Sequence, residues 1–144
     1  MGSSMKVLII EDEKAMNDLI AIKFRVEGFE VDQAENLAQA KEKVTTAGPY
    51  DAILTDYLMP DGELVDFLTV LRGDAKLATI PVVVMTNYIE DLSVEKLKSL
   101  GVVEVITKYQ VVPAQMVEKI RQLIASKGGS AAQTGGNPAG GEQA

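Results

Sequence analysis

The chain contains no cysteine and no histidine. Without cysteine there is no disulfide and no thiolate metal site. Without histidine there is no imidazole to act as base, metal ligand or phosphocarrier. Basic residues are few: 14 Lys and Arg stand against 21 Asp and Glu, a net charge of −7. Binding a phosphate backbone needs clustered Lys and Arg, so this balance argues against direct nucleic-acid contact. Long apolar runs are missing as well. The longest are of strand length, far short of the roughly 20 residues of a membrane-spanning helix, and no signal peptide is visible. The expectation is a soluble, cytoplasmic protein with no membrane partner.

What is present is ordinary for a folded domain. The 144 residues are 47% hydrophobic, enough for one domain with a modest core. Residues 1–4, Met-Gly-Ser-Ser ahead of a second Met, read as a cloning remnant. Residues 127–144 are rich in Gly, Ala and Gln and read as a flexible tail or linker. The domain is therefore expected over residues 5–126.

Within it, strands and helices alternate. Val7-Leu8-Ile9-Ile10 is a continuous apolar run, as in a strand buried on both faces. Residues 14–27 carry Ala15, Met16, Leu19, Ile20, Ile22 and Val26 at helical spacing, stopped by Gly28. A second strand follows over 29–34. Asn36 can cap a helix to Thr46 whose inner face is Leu37, Ala40 and Val44. The third strand, 51–55, ends at Asp56. Pro60-Asp61-Gly62 marks a turn before a helix from Leu64 to Gly73. A fourth strand over 80–85, a short helix over 91–100 and a fifth strand over 102–106 come next. Pro113 suits the first turn of a last helix carrying Met116, Val117, Ile120, Leu123 and Ile124 inward. Five β-α repeats predict an α/β, flavodoxin-like three-layer sandwich, its five-stranded parallel sheet in the order 2-1-3-4-5 with five helices.

In such a sheet ligands bind beyond the carboxyl ends of the strands, at the switch in strand order. Glu11-Asp12 ends strand 1 and Asp56 ends strand 3, so three carboxylates are predicted to converge there. Their mutual repulsion favours a cation, and Mg²⁺ suits an all-oxygen site of one or two carboxylates with water and phosphate oxygens. Asp56 could then act as a nucleophile toward a phosphoryl group. Thr86 and Lys108, after strands 4 and 5, offer a hydroxyl and a point charge for phosphoryl oxygens. Each residue alone has a plainer reading as a cap, a turn hydroxyl or a surface lysine. It is their joint placement at one sheet edge that singles them out.

Over residues 5–126 the chain resembles a CheY-like response regulator receiver domain of two-component signalling. The resemblance rests on Ile10-Glu11-Asp12-Glu13, Leu54-Thr55-Asp56-Tyr57-Leu58-Met59-Pro60, Met85-Thr86 and Thr107-Lys108. It implies Asp56 as phosphoacceptor and a Mg²⁺ held by Asp12, Asp56, the Leu58 carbonyl and, mostly through water, Glu11. It implies Lys108 at a phosphoryl oxygen and Thr86 as the switch. It further implies a histidine kinase or phosphotransfer protein as donor, and no enzymatic activity beyond the domain's own phosphorylation and dephosphorylation. Phosphorylation would bias residues 87–100, and output or self-association would run through residues 91–126.

Three positions depart from the family pattern. Tyr109 stands where a proline follows the lysine, and Val105 where an aromatic completes the switch. Gly62 lies two residues earlier than the usual glycine, where Leu64 stands, so that loop is expected to be rebuilt. The resemblance also implies that the positions of Leu58 and Tyr88 flank the path of the hydrolytic water; neither residue has an amide or carboxylate to orient it, which predicts slow self-dephosphorylation. The main alternative is a pseudo-receiver that binds or dimerises without being phosphorylated. A haloacid-dehalogenase-type phosphatase would want an acid at Leu58. A flavin module would want a phosphate-cradling loop where Glu11-Asp12-Glu13 stands.

Overall fold

The computed structural model describes residues 5–87, 93–108 and 110–133, with backbone only for 127–133. In chain order the elements are β1 (Lys6–Ile10), α1 (Lys14–Val26), β2 (Glu30–Ala34), α2 (Leu37–Thr46), β3 (Ala52–Asp56), β4 (Leu58–Met59), β5 (Gly62–Glu63), α3 (Leu64–Gly73), β6 (Val82–Thr86), α4 (Val94–Ser99), β7 (Val102–Thr107) and α5 (Pro113–Gln133). The five long strands form one parallel sheet in the order β2-β1-β3-β6-β7. Counting long strands alone, this is the expected 2-1-3-4-5 order.

The central strands are apolar throughout because both of their faces are covered. Side chains alternate across the sheet. Leu8, Ile10, Ile53, Val82 and Val84 face α2, α3 and α4, where Val44, Phe67, Leu71 and Leu97 meet them. Val7, Ile9, Leu54, Val83 and Met85 face α1 and α5, against Ile20, Phe24, Met116 and Ile120. Each fully buried aliphatic or aromatic side chain here contributes about 1.5–3 kcal/mol. Asn36 caps α2 as expected, its Oδ1 accepting from the Gln39 N–H at 2.8 Å.

Of the apolar positions on α1, only some reach the core. Leu19, Ile22 and Val26 are 53%, 58% and 72% exposed. The buried residues are Asn17, Ile20, Ala21 and Phe24. Two stripes on α1 carry apolar residues, and Phe24 is the large side chain that goes inside. Asn17 can join it because its amide is fully used. Nδ2 donates to the carbonyls of Glu11 and Ala34, each at 3.0 Å, and Oδ1 accepts from Gln33 at 2.9 Å.

Three other boundaries moved. The helix expected over 91–100 spans Val94–Ser99, with Ser93 accepting from the Lys96 N–H; residues 91 and 92 lie outside the described part. The last helix continues to Gln133, past the tail boundary expected after residue 126. The Pro60-Asp61 turn closes a small antiparallel hairpin, β4 paired with β5.

Gly101 is needed for two reasons. Its φ of +89° disfavours any side chain, and an added Cβ would run into the Arg72 guanidinium. That guanidinium is anchored, with Nε on the Leu100 carbonyl at 2.6 Å and Nη1 on that of Ala78 at 2.9 Å. It ties the end of α3 to the end of α4. Gly101→Ala should therefore cost about 2–3 kcal/mol of stability in urea denaturation. In an Arg72→Ala background the same change should cost only its backbone part, about 1 kcal/mol.

Candidate functional site

Four strands deliver the candidate residues to one edge of the sheet. Glu11 follows β1 directly and is fully buried. Its N–H continues the ladder to the Ala34 carbonyl at 3.0 Å. Asp12 comes next and is exposed. Asp56 is the last residue of β3 and Thr86 the last of β6, both buried. Lys108 follows β7, also buried, and its N–H donates to the Thr86 carbonyl at 2.8 Å.

The side chains converge. The Lys108 ammonium lies 2.7 Å from Glu11 Oε1 and 2.9 Å from Asp56 Oδ2. Glu11 Oε2 accepts from the Glu13 N–H at 3.0 Å, and Asp56 Oδ1 from the Leu58 N–H at 3.4 Å. Carboxylate oxygens of Glu11, Asp12 and Asp56 all lie within 4.8 Å of one another. Three carboxylates against one ammonium leave an excess of negative charge in a confined place. Such a donor set fits a hard divalent cation such as Mg²⁺.

Burial alone would lower the Lys108 pKa, but the hydrogen bonds to Glu11 and Asp56 and their charges outweigh it, holding the ammonium above the usual lysine range. Lys108 is therefore a fixed positive charge. Glu11 is pushed above its ordinary 4.5, chiefly by burial, against the pull of Lys108 and the Glu13 N–H.

Of the remaining expected residues, Leu58 opens β4 and is 60% exposed. Val105 is half-buried on β7, opposite Val84, and packs on the α4 side of the sheet. Tyr88 and Tyr109 lie outside the described residues. Two residues that hold the surrounding backbone had not been singled out. Asn17 holds the Glu11 carbonyl; its signal was a polar residue in phase with Ile20, Ala21 and Phe24. Asp61 read only as part of a turn, because its partners lie 24 residues away, at the start of α2.

Residues 7–121 match the family model of the response regulator receiver domain. The chain is 28% identical over 123 residues to the phosphate regulon transcriptional regulatory protein PhoB of Pseudomonas aeruginosa, covering 85% of this chain and 52% of that protein. The chain spans about half the length of the curated relatives it matches. Among solved structures it is similar to a CheY-like receiver domain protein from Methanospirillum hungatei (TM-score 0.77, 23% identity, 89% of this chain and 99% of the other). It is also similar to the receiver domain of the Francisella response regulator 1452 (TM-score 0.74, 25% identity, 86% and 99%).

The raised Glu11 pKa has a measurable sign. Above pH 4.5 and below the raised value, the folded protein keeps a proton that the unfolded chain has released. Stability then falls as pH rises through that window. Glu11→Gln has no proton to lose there. Its urea midpoint should vary less with pH than that of the wild type as pH rises above 4.5, measured without divalent cations.

Proposed function

The chain belongs to the response regulator receiver domain family, and from that premise we propose that Asp56 accepts a phosphoryl group from a partner histidine kinase or phosphotransfer protein. The observation that carries this reading is the convergence of Glu11, Asp12, Asp56 and Lys108 at the carboxyl edge of the sheet. Asp56 is the nucleophile. A carboxylate oxygen attacks phosphorus as the bond to the donor nitrogen breaks. Lys108, already 2.9 Å from Asp56 Oδ2, is placed to pair with a phosphoryl oxygen as the carboxylate becomes an acyl phosphate. Glu11, Asp12, Asp56 and the Leu58 carbonyl would hold a Mg²⁺, which when bound supplies neutralising charge for the phosphoryl oxygens. Thr86, at the end of the neighbouring strand, would offer its hydroxyl to the phosphoryl group and pass the change to the segment that follows it.

The partner surfaces follow from exposure. Ala15, Leu19, Ile22 and Val26 form an exposed apolar stripe on α1. It starts beside Asp12, so a donor helix lying along it would meet the site. Output or self-association would use residues 91–126, where Val102 is buried but Val103 is 44% exposed. The acidic balance speaks for this segment only. The relatives are named as transcriptional regulators and extend to about twice the matched length, so a transcriptional output through a joined segment is compatible with it. Among the described residues no helix is long and apolar enough to cross a membrane.

The pseudo-receiver alternative makes the opposite prediction for one assay. Incubation with acetyl phosphate and Mg²⁺ should add one phosphoryl group by intact mass, and Asp56→Asn should abolish it. No labelling of the wild type would overturn phosphoacceptance. Size-exclusion chromatography of the same samples reads association. The exposed aliphatic Leu58 beside Asp56 also supports a long-lived phosphoprotein. Leu58→Asn, which supplies an amide to orient water, should shorten the half-life measured by loss of that mass. An already short half-life, unchanged by the substitution, would count against it.

A further inference from the structure

The β4–β5 hairpin that carries Leu58 is too small to hold itself. It has two residues per strand, and a two-stranded ribbon is marginal even when longer. Most of it is exposed. Its ends are fixed by the Tyr57 N–H on the Met85 carbonyl at 3.0 Å and by the buried Leu64. Between those ends the polar anchor is Asp61, at the tip.

Asp61 stands three residues before α3, near where a cap for that helix would be sought. Yet Glu63 at the start of α3 makes no side-chain cap, and Asp61 reaches across to α2 instead. Its Oδ1 accepts from the Leu37 N–H at 2.8 Å and its Oδ2 from the Ala38 N–H at 3.0 Å. Asn36 Oδ1 takes the next N–H, of Gln39, and the Asn36 carbonyl takes that of Ala40 at 3.1 Å. Of the four N–H groups that a helix start leaves open, those of Leu37, Ala38 and Gln39 are thus satisfied by side chains, two of them by Asp61. A carboxylate at a helix N-terminus is favoured by the helix dipole as well as by the hydrogen bonds. Gly62, with φ +157°, brings the chain against Leu37, where an added Cβ would sit 3.3 Å from Cδ1. The hairpin therefore docks on α2 by a polar and an apolar contact together.

We propose that Asp61 is a positioning residue for the cation site: its two bonds to α2 hold the Leu58–Glu63 hairpin, and with it the Leu58 main chain, against Asp56. Asp61 touches neither ion nor phosphate. It acts through the hairpin, as outer residues commonly orient the groups that bind a metal. The inference rests on the reading of Glu11, Asp12 and Asp56 as a metal site.

The test is Mn²⁺ binding, followed by electron paramagnetic resonance of the free ion with Mg²⁺ as competitor. Asp61→Ala should weaken binding about 10-fold, and Asp61→Asn, which keeps one acceptor, should fall between it and the wild type. Glu63→Gln removes the same charge from the same hairpin without touching α2 and should bind as the wild type does. Amide hydrogen exchange at Leu37 and Ala38 should quicken in Asp61→Ala. Equal affinity in wild type and Asp61→Ala would overturn the tether. So would an equal loss in Glu63→Gln, which would mark bulk charge as the cause. A wild type that bound no Mn²⁺ would instead overturn the metal reading, and the tether with it.

Discussion

The Lys108 ammonium and the two buried carboxylates it bridges form the interaction on which the rest of the site depends. Glu11 and Asp56 end neighbouring strands, and their charges oppose one another in a place where water cannot screen them. Lys108, from the far strand of the sheet, reaches both at 2.7 and 2.9 Å. Burying one of these groups alone would be costly; burying them together, with the Glu13 and Leu58 N–H groups completing the carboxylates, is tolerable. The neutralisation is incomplete because Asp12 adds a further charge at the rim. An excess of negative charge held in fixed geometry is what a divalent cation, and then a phosphoryl group, can exploit.

The fold exists to bring those strand ends into line. A parallel sheet puts all of its carboxyl ends on one side, and the order β2-β1-β3-β6-β7 sets β1 and β3 next to each other where the helices diverge. Both sheet faces are closed by helices, so the strands are rigid and the carboxylates cannot drift apart to relieve their repulsion. The loops are less strongly held. Their anchors are polar and individual: Asn17 on the Glu11 carbonyl, Arg72 on the end of α4, Asp61 on the start of α2. The chemistry thus sits on strands, while the parts that would respond to it sit on loops pinned at a few points.

Several features were legible before any coordinates. Apolar runs of strand length alternating with amphipathic segments dictated the parallel α/β architecture. Asn36, Gly28, Gly101 and Pro113 marked helix ends through capping and turn chemistry that acts locally. Glu11, Asp12, Asp56, Thr86 and Lys108 could be placed at one edge because topology alone carries strand ends there. The inner face of α1 was not legible in the same way, for an equally physical reason. Leu19, Ile22 and Val26 share a helical stripe, but so do Asn17, Ile20, Ala21 and Phe24, and periodicity does not say which stripe meets the sheet. Asn17 is polar, and its amide finds three partners only once β1, β2 and α1 are packed.

By itself, then, the sequence determined what is local or topological: the element order, the strand-end carboxylates, the lysine that follows the last strand, and the absence of any histidine or cysteine to compete with them. Tertiary structure decided which charges actually meet. It placed Lys108 between Glu11 and Asp56, buried Glu11 enough to raise its pKa, turned the apolar stripe of α1 outward, and sent Asp61 to α2 rather than α3. Those outcomes depend on distances between residues far apart in the chain. No spacing rule along the sequence encodes them, because hydrogen bonds and charge pairs act across space and are settled only when the layers close.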